Sequence, residues 1–211
     1  QKKNIKNNNV IWLKDLNKLN DSPSIFIANE FFDALPIKQF IKKKNQWYER
    51  YVKLTDNKKP EYLDILFNMS KFEKKINLKI SYKQKFIEYS PLTINYLKII
   101  MDKIRSNNGG ALIIDYGYTS NEIKNTLQAV SNHNYSNVLD TSLKSDITYN
   151  LNFRLIDKII KKFGTFNTLR TSQKKFLTRL GILGRAEILS KNMPFSQKAD
   201  IYFRIKRLID E

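Results

Sequence analysis

Two short apolar runs, each followed by an acidic residue, stand out in the hydrophobic pattern of the chain. The first is SIFIA at residues 24–28, and the second is ALII at 111–114, followed directly by Asp115. Short apolar runs rich in β-branched residues predict fully buried strands of a parallel sheet. Because ligands bind beyond the carboxyl ends of such strands, we expect a site where these two runs end.

Helical periodicity dominates the segments that follow these runs. Ser90 suits an N-cap and Pro91 a first helical position, and apolar residues recur at the spacing i, i+3, i+4, i+7 at Leu97, Ile100, Met101 and Ile104. A second helix is predicted over 155–163, and shorter ones over 173–180, 186–189 and from Pro194 to the end. Strands that alternate with helices predict an α/β fold with a doubly wound parallel sheet.

Three β-type runs interrupt this alternation. They lie at 39–41, 47–54 and 62–67, and they predict an antiparallel insertion over 38–69, which the run at 85–89 would extend. Residues 119–131 fit either a helix or a strand, although Thr119 and Glu122 have the spacing of a helical capping box. Residues 165–170 predict a strand, and the polar residues 1–9 predict a flexible tail.

Composition excludes several kinds of site. The 211 residues include no cysteine and a single histidine, so thiolate and multi-histidine metal sites are excluded, and we expect no metal. The net charge is +18, but the excess is mostly lysine, spread along the chain. We interpret it as solvated surface rather than a nucleic-acid interface, which favours arginine. No apolar run is long enough to predict a membrane span.

Polar residues follow both apolar runs. After the first come Asn29, Glu30 and Asp33, and a helical turn there would place the two carboxylates on one face. Such a group could hold a guanidinium or an ammonium, or act as a general base, but it could equally cap a helix. After the second run, Asp115 and Tyr116 precede Gly117; the acid could bind a ribose, a cation or an amide, and the glycine could simply permit a turn.

Other motifs favour no particular reaction. His133 is the only imidazole, and we expect it to be structural rather than essential. The sequence contains neither G-x-G-x-x-G nor a P-loop.

These segments, in this order, resemble the MidA-like family of mitochondrial complex I assembly factors and protein arginine methyltransferases. The most distinctive match is NEFFDALP at 29–36, and GALIIDYGY at 110–118 resembles a second signature. Weaker matches include WYER at 47–50 and EYSP at 88–91, and the resemblance runs from about Trp12 to the end. Asn125, Asn150 and Asn152 stand where the family usually has an acid, a histidine and an aspartate.

The resemblance implies a partial Rossmann-like class I methyltransferase sheet with an antiparallel insertion and a helical C-terminal part. It implies S-adenosylmethionine as cofactor and a methyl transfer to an arginine held by carboxylates. Glu30 and Asp33 would then be catalytic, and Asn29, Asp115 and Tyr116 would bind substrate. The family's glycine-rich cofactor loop would precede Gln1, so residues 10–211 would be the C-terminal part of the domain, with unknown cofactor-binding residues.

The resemblance also implies partners and a location. The protein substrate would be a respiratory complex I subunit, and a homodimer is compatible with the pattern. The location would be the cytoplasm in a bacterium or the mitochondrial matrix in a eukaryote. The alternative function is a non-catalytic assembly factor or docking module that lacks the cofactor loop and uses the aromatic-rich insertion.

Overall fold

The computed structural model describes residues 9–132, 134–140 and 145–210. The chain forms two compact units, Gln1–Phe166 and Asn167–Glu211. The strands are β1 (Ser24–Asn29), β2 (Lys38–Lys43), β3 (Gln46–Leu54), β4 (Pro60–Phe67), β5 (Phe86–Tyr89), β6 (Gly109–Ile114), β7 (Gly117–Tyr118), β8 (Gln128–Ser131), β9 (Asn134–Ser136), β10 (Asp146–Thr148) and β11 (Leu151–Asn152). The helices are α1 (Met69–Ile76), α2 (Pro91–Asn107), α3 (Phe153–Phe163), α4 (Gln173–Arg179), α5 (Ile182–Ser190) and α6 (Phe195–Ile209).

Two parallel strand pairs lie in the first unit. β1 pairs with β6 along its full length, from Ser24 beside Gly109 to Asn29 beside Ile114. β7 pairs in parallel with β11, and Leu151 lies beside Gly117. The remaining strands form antiparallel sheets, so the predicted α/β class is confirmed, although these parallel pairs are short.

The β1–β6 pair is covered on one face. Phe26 and Ala28 pack against the apolar core that contains Leu97 of α2. Ile25 and Ile27 point to the other face and are 79% and 70% exposed. The prediction of a fully buried strand was therefore wrong. It assumed helices on both faces, and among the described residues only the α2 face of the pair is covered.

The antiparallel sheet has the strand order β4-β3-β2-β5. The turn between β2 and β3 contains Lys44 and Asn45 at φ values of 45° and 64°, as a two-residue hairpin of type I′ requires. β2 pairs with β3 only as far as Arg50, whereas β4 pairs with β3 to Leu54. Residues 51–63 therefore form a two-stranded extension, which we call the β3–β4 ribbon.

The core of the first unit has two apolar clusters. One surrounds α2 and α3 and includes Phe32, Leu97 and Ile159. The other lies between the antiparallel sheet and α1, and includes Phe40 and Ile87. The helices predicted from Ser90 and over 155–163 are confirmed as α2 and α3. The Ser90 side chain accepts a hydrogen bond from Thr93 N at the start of α2, and α3 ends before Gly164.

The capping-box pair at Thr119 and Glu122 does not start a helix. Side chains bind the main-chain N–H groups that a helix would use: Ile123 N donates to Oε1 of the distant Gln84 at 2.8 Å, and Lys124 N donates to the hydroxyl of the nearby Tyr118 at 2.8 Å. Strand structure appears only from Gln128, where β8 pairs with β9 and β10.

The second unit contains α4, α5 and α6, close to the helices that the sequence predicts. The predicted strand at 165–170 is absent: these described residues have no regular structure. No helix within the described ranges is long and apolar enough to cross a membrane.

Candidate active site

The carboxyl ends of β1 and β6 bring the sequence-predicted site residues to one edge of the parallel pair. Glu30 N donates a hydrogen bond to Ile114 O at 2.9 Å, which keeps the strands together one residue past Asn29. Glu30 then adopts a φ of 45°, a left-handed conformation that costs a non-glycine residue about 1–2 kcal/mol. The chain therefore leaves β1 through this residue rather than through the helical turn considered from the sequence.

Asp115 is held by the main chain of this turn. Its Oδ2 accepts hydrogen bonds from Phe32 N at 3.0 Å and Asp33 N at 3.2 Å, and its Oδ1 accepts one from Tyr116 N at 2.9 Å. One carboxylate thus connects the two strand ends and fixes the path of residues 31–33. Its oxygens are occupied by protein amides, which suits a positioning group better than a group that contacts a ligand.

Asp33 lies behind this turn and is only 6% exposed. Its Oδ1 is buried and has no hydrogen-bond partner among the described residues. Burial raises the pKa of Asp33, and the neighbouring charge of Glu30 raises it further. Burial raises the pKa of Asp115 to about 6, with an added contribution from Asp33. The charge of Glu30 thus disfavours the ionisation of Asp33, and the charge of Asp33 disfavours that of Asp115.

The accessible rim of this edge consists of Asn29, Glu30, Phe31 and Tyr116, all exposed. Tyr116 is 63% exposed, and Phe31 packs edge-on against Phe32 and Tyr96 at 5.2 Å between ring centroids. Glu30 is thus the carboxylate that an incoming group can reach. The rim joins one accessible negative charge to aromatic surface, which suits a delocalised cation such as guanidinium.

Gly117 and Tyr149 also shape the edge. A Cβ at Gly117 would lie 2.4 Å from Leu151 O, so the β7–β11 approach requires glycine. Tyr149 N donates to Asp33 O at 3.1 Å, and its hydroxyl lies 3.3 Å from Thr93 Oγ1. Sequence reasoning missed Tyr149 because no local motif connects it to Asp33.

A small cavity lies on the inner side of Tyr149. Its volume of about 30 Å³ would hold about two water molecules, too few for a cofactor. Its polar wall includes Glu88, which accepts hydrogen bonds from Gln39 Nε2, Thr126 N and Leu127 N, each at 3.0 Å, and from Thr126 Oγ1 at 2.5 Å. Glu88 is therefore a structural group that joins β5 to the loop before β8.

The asparagines at the positions that depart from the family pattern have structural contacts. Asn125 Oδ1 accepts from Gln39 Nε2 at 3.1 Å, and Asn152 Oδ1 accepts from Leu155 N at 3.0 Å, as the N-cap of α3. Asn150 N donates to Thr126 Oγ1 at 2.9 Å. His133 lies outside the described residues, and no cluster of acidic residues within the described ranges has a metal-binding arrangement.

The family model that matches the chain is described as "Putative S-adenosyl-L-methionine-dependent methyltransferase", and it covers residues 1–171. The mitochondrial protein arginine methyltransferase NDUFAF7 homolog of Caenorhabditis elegans is 29% identical over 185 residues, which are 82% of this chain and 41% of the relative. The chain thus spans less than half the length of this curated relative.

Two solved structures from Burkholderia thailandensis share the fold. A native structure superposes with a TM-score of 0.75 at 21% identity, over 95% of this chain and 54% of its own. A second, with S-adenosyl-homocysteine bound, gives a TM-score of 0.74 at 21% identity, over 95% of this chain and 52% of its own.

Proposed function

The chain belongs to the S-adenosyl-L-methionine-dependent methyltransferase family whose model covers residues 1–171, and from this membership we propose that the whole protein methylates arginine on a protein substrate. The named relative is a protein arginine methyltransferase, and a solved neighbour binds S-adenosyl-homocysteine. Within this proposal, residues 10–211 form the C-terminal, substrate-facing part of the methyltransferase domain.

The described residues where β1 and β6 end do not by themselves form a cofactor site. No glycine-rich loop follows a strand in the sequence, and the Asp115 oxygens that could bind a ribose already accept main-chain hydrogen bonds. The cavity at Tyr149 is also too small. We therefore propose that residues elsewhere in the whole protein hold the cofactor.

The observation that carries the proposal is the cluster of three carboxylates where β1 and β6 end. Glu30 is exposed on the rim, while Asp33 and Asp115 lie behind it with raised pKa values. A guanidinium at this rim would pair with Glu30 and relieve the mutual repulsion of the carboxylates.

The role of the chain in the reaction is then to hold and aim the substrate cation. A guanidinium spreads its charge over three nitrogens, so a carboxylate that binds two of them orients the third. We assign this contact to Glu30, with Asn29 and Tyr116 beside the bound group. Asp33 supplies negative potential from beneath, and Asp115 keeps the turn in place.

The central test is Glu30→Gln in the whole protein. The amide keeps the size of the side chain but removes its charge, so we expect methyl incorporation into arginine-containing complex I peptides to fall about 100-fold or more. Mass spectrometry measures incorporation, and calorimetry should show unchanged S-adenosylmethionine binding. Glu122→Gln, another exposed glutamate, is the matched control. Full activity of Glu30→Gln would remove Glu30 from the reaction.

The substrate protein, the assembly state and the location are further proposals. The relative is named as mitochondrial, which supports the mitochondrial matrix as location in a eukaryote. A complex I subunit as substrate, and the cytoplasm as location in a bacterium, follow from the resemblance to the MidA-like family. We also propose a homodimer, to be tested by light scattering of the whole protein.

A docking module without catalysis is the second candidate function. The apolar side chains exposed on β3 and β4 favour it. Failure of the whole protein to bind S-adenosylmethionine would favour this function over the enzyme.

A further inference from the structure

The β3–β4 ribbon exposes apolar side chains on both faces. Cross-strand neighbours share a face, so Tyr51 lies with Leu63 on one side and Val52 with Tyr62 on the other. All four are exposed, and the exposed set continues with Leu54, Ile65 and Leu66. A two-stranded ribbon is marginally stable in water. Apolar surface of this kind is typical of an interaction site.

β4 also presents an open edge. Within the described ranges it pairs only with β3, so along its eight residues alternate main-chain N–H and C=O groups face outward. An extended peptide can add a strand to such an edge through main-chain hydrogen bonds, while its alternating side chains contact both faces of the sheet. Leu63 and Ile65 would meet one set of those side chains, and Tyr62 and Leu66 the other.

The acidic residues within the strands of this hairpin are already paired. Lys38 binds Glu49, Lys53 binds Glu61 at 2.8 Å, and Asp64 binds both Lys43 at 2.8 Å and Arg50 at 3.0 Å. These pairs neutralise the middle of the hairpin.

The lysines at the two ends of β4 have no acidic partner among the described residues. Lys58 and Lys59 precede β4 in the β3–β4 turn, where Asp56 offsets one of them. Lys44 lies in the β2–β3 turn, near the other end of β4, because Trp47, which follows this turn, pairs with Phe67. The open edge is therefore apolar along its length and positive at both ends.

We propose that the open edge of β4 binds an extended segment of another protein, about eight residues long, with an alternating apolar centre and acidic residues at both ends. A second copy of this chain fits less well. Antiparallel pairing of two β4 strands would place the Lys58–Lys59 turn of one copy near Lys44 of the other, and like charges would repel. This binding requires neither the cofactor nor methyl transfer.

The first test uses a labelled peptide of about ten residues, with two acidic residues at each end of alternating valine and threonine. Fluorescence anisotropy with the whole protein measures its affinity. We expect saturable binding that weakens when salt rises from about 50 to about 500 mM. The same peptide with lysine for the acids, or with a central proline that cannot donate to the ladder, should bind at least about tenfold more weakly. Equal binding of the lysine peptide, or no binding of the acidic one, would overturn the proposal.

The second test changes the protein. Lys58→Glu with Lys59→Glu should weaken the acidic peptide about tenfold or more, whereas the matched pair Lys74→Glu with Lys75→Glu on α1 should change it less than about twofold. Circular dichroism confirms that each variant is folded. Equal effects of the two pairs would show a general charge effect and contradict a site at β4.

A third measurement tests whether a second copy of this chain occupies the open edge of β4. Ile65→Lys should abolish peptide binding, because it places a charge among the apolar contacts of the edge. Light scattering should give the same oligomeric state for the unmodified protein and for Ile65→Lys. A dimer that this substitution dissolves would instead identify a second copy as the occupant, and would refute the proposed partner.

Discussion

The molecule holds its buried and half-buried carboxylates in two contrasting ways. In the antiparallel sheet, Glu88 accepts four hydrogen bonds, and Asp64 accepts two from Arg50, at 3.0 and 3.2 Å. Where the parallel strands end, Asp33 keeps a buried oxygen without a partner among the described residues, and Asp115 lies close to it. The first arrangement stabilises negative charge, whereas the second penalises it.

The pKa shift of Asp64 runs in the opposite direction to those of Asp33 and Asp115. The hydrogen bonds from Arg50 hold the pKa of Asp64 below its usual value, while burial raises the pKa values of Asp33 and Asp115. The same chain thus satisfies the carboxylates of the antiparallel sheet and leaves one oxygen of Asp33 without a partner among the described residues at the strand ends. Unsatisfied groups of this kind concentrate at functional sites, which agrees with an external cation as the missing partner.

The strongest test of the satisfied region is Glu88→Ala. Its removal leaves the main-chain amides of Thr126 and Leu127 without an acceptor, so we expect a loss of about 3–5 kcal/mol in the free energy of unfolding. Urea denaturation measures the change. Glu122→Ala, at an exposed glutamate, should shift stability by less than about 0.5 kcal/mol. A similar small effect at Glu88 would show that its hydrogen bonds contribute little.

A smaller effect is expected for Arg50→Met. The substitution removes both hydrogen bonds to Asp64 and the guanidinium that lies 4.4 Å from the ring centroid of Tyr62, but Lys43 still pairs with Asp64. We expect a loss of about 1–2 kcal/mol at neutral pH, and a rise in the pKa of Asp64 measured by NMR titration.

Arg50→Lys separates geometry from charge at this position. It keeps the charge but not the planar fork, so it should restore only part of the lost stability. Complete restoration would mean that charge alone holds Asp64.

Local sequence signals predicted the elements whose hydrogen bonds are themselves local. The start of α2 follows from Ser90 and Pro91, and the end of α3 follows from Gly164. The capping-box pattern at Thr119 failed because the distant Gln84 and the neighbouring Tyr118 bind the main chain of that segment through their side chains. Exposure of Ile25 could not be predicted either, since it depends on what covers the sheet rather than on the strand.

The candidate site shows the same limit. The acidic residues at both strand ends, and their meeting at one edge, follow from the apolar runs and from parallel pairing. The left-handed conformation of Glu30 and the hydrogen bonds that Asp115 accepts cannot be predicted in this way, because they arise when two segments distant in sequence meet. Sequence therefore predicts which residues gather, and the tertiary contacts decide which of them remains accessible.

The last and smallest effect tests the unsatisfied region, with Asp33→Asn. The folded-state pKa of Asp33 lies above its unfolded value, so its contribution to stability is complete below about pH 4 and is lost as pH rises through the folded-state pKa. The neutral amide avoids this loss and offers a donor in place of the unpartnered oxygen. We expect no change in the free energy of unfolding near pH 4 and a gain of about 1 kcal/mol at pH 8, measured by urea denaturation.

Asp64→Asn is the matched control with the opposite sign. The pKa of Asp64 is lowered, so its stabilisation exists above about pH 4, and its loss should destabilise the protein at pH 8. If both substitutions destabilise the protein at pH 8, the carboxylates at the strand ends are as well satisfied as those of the antiparallel sheet, and the contrast between the two regions does not hold.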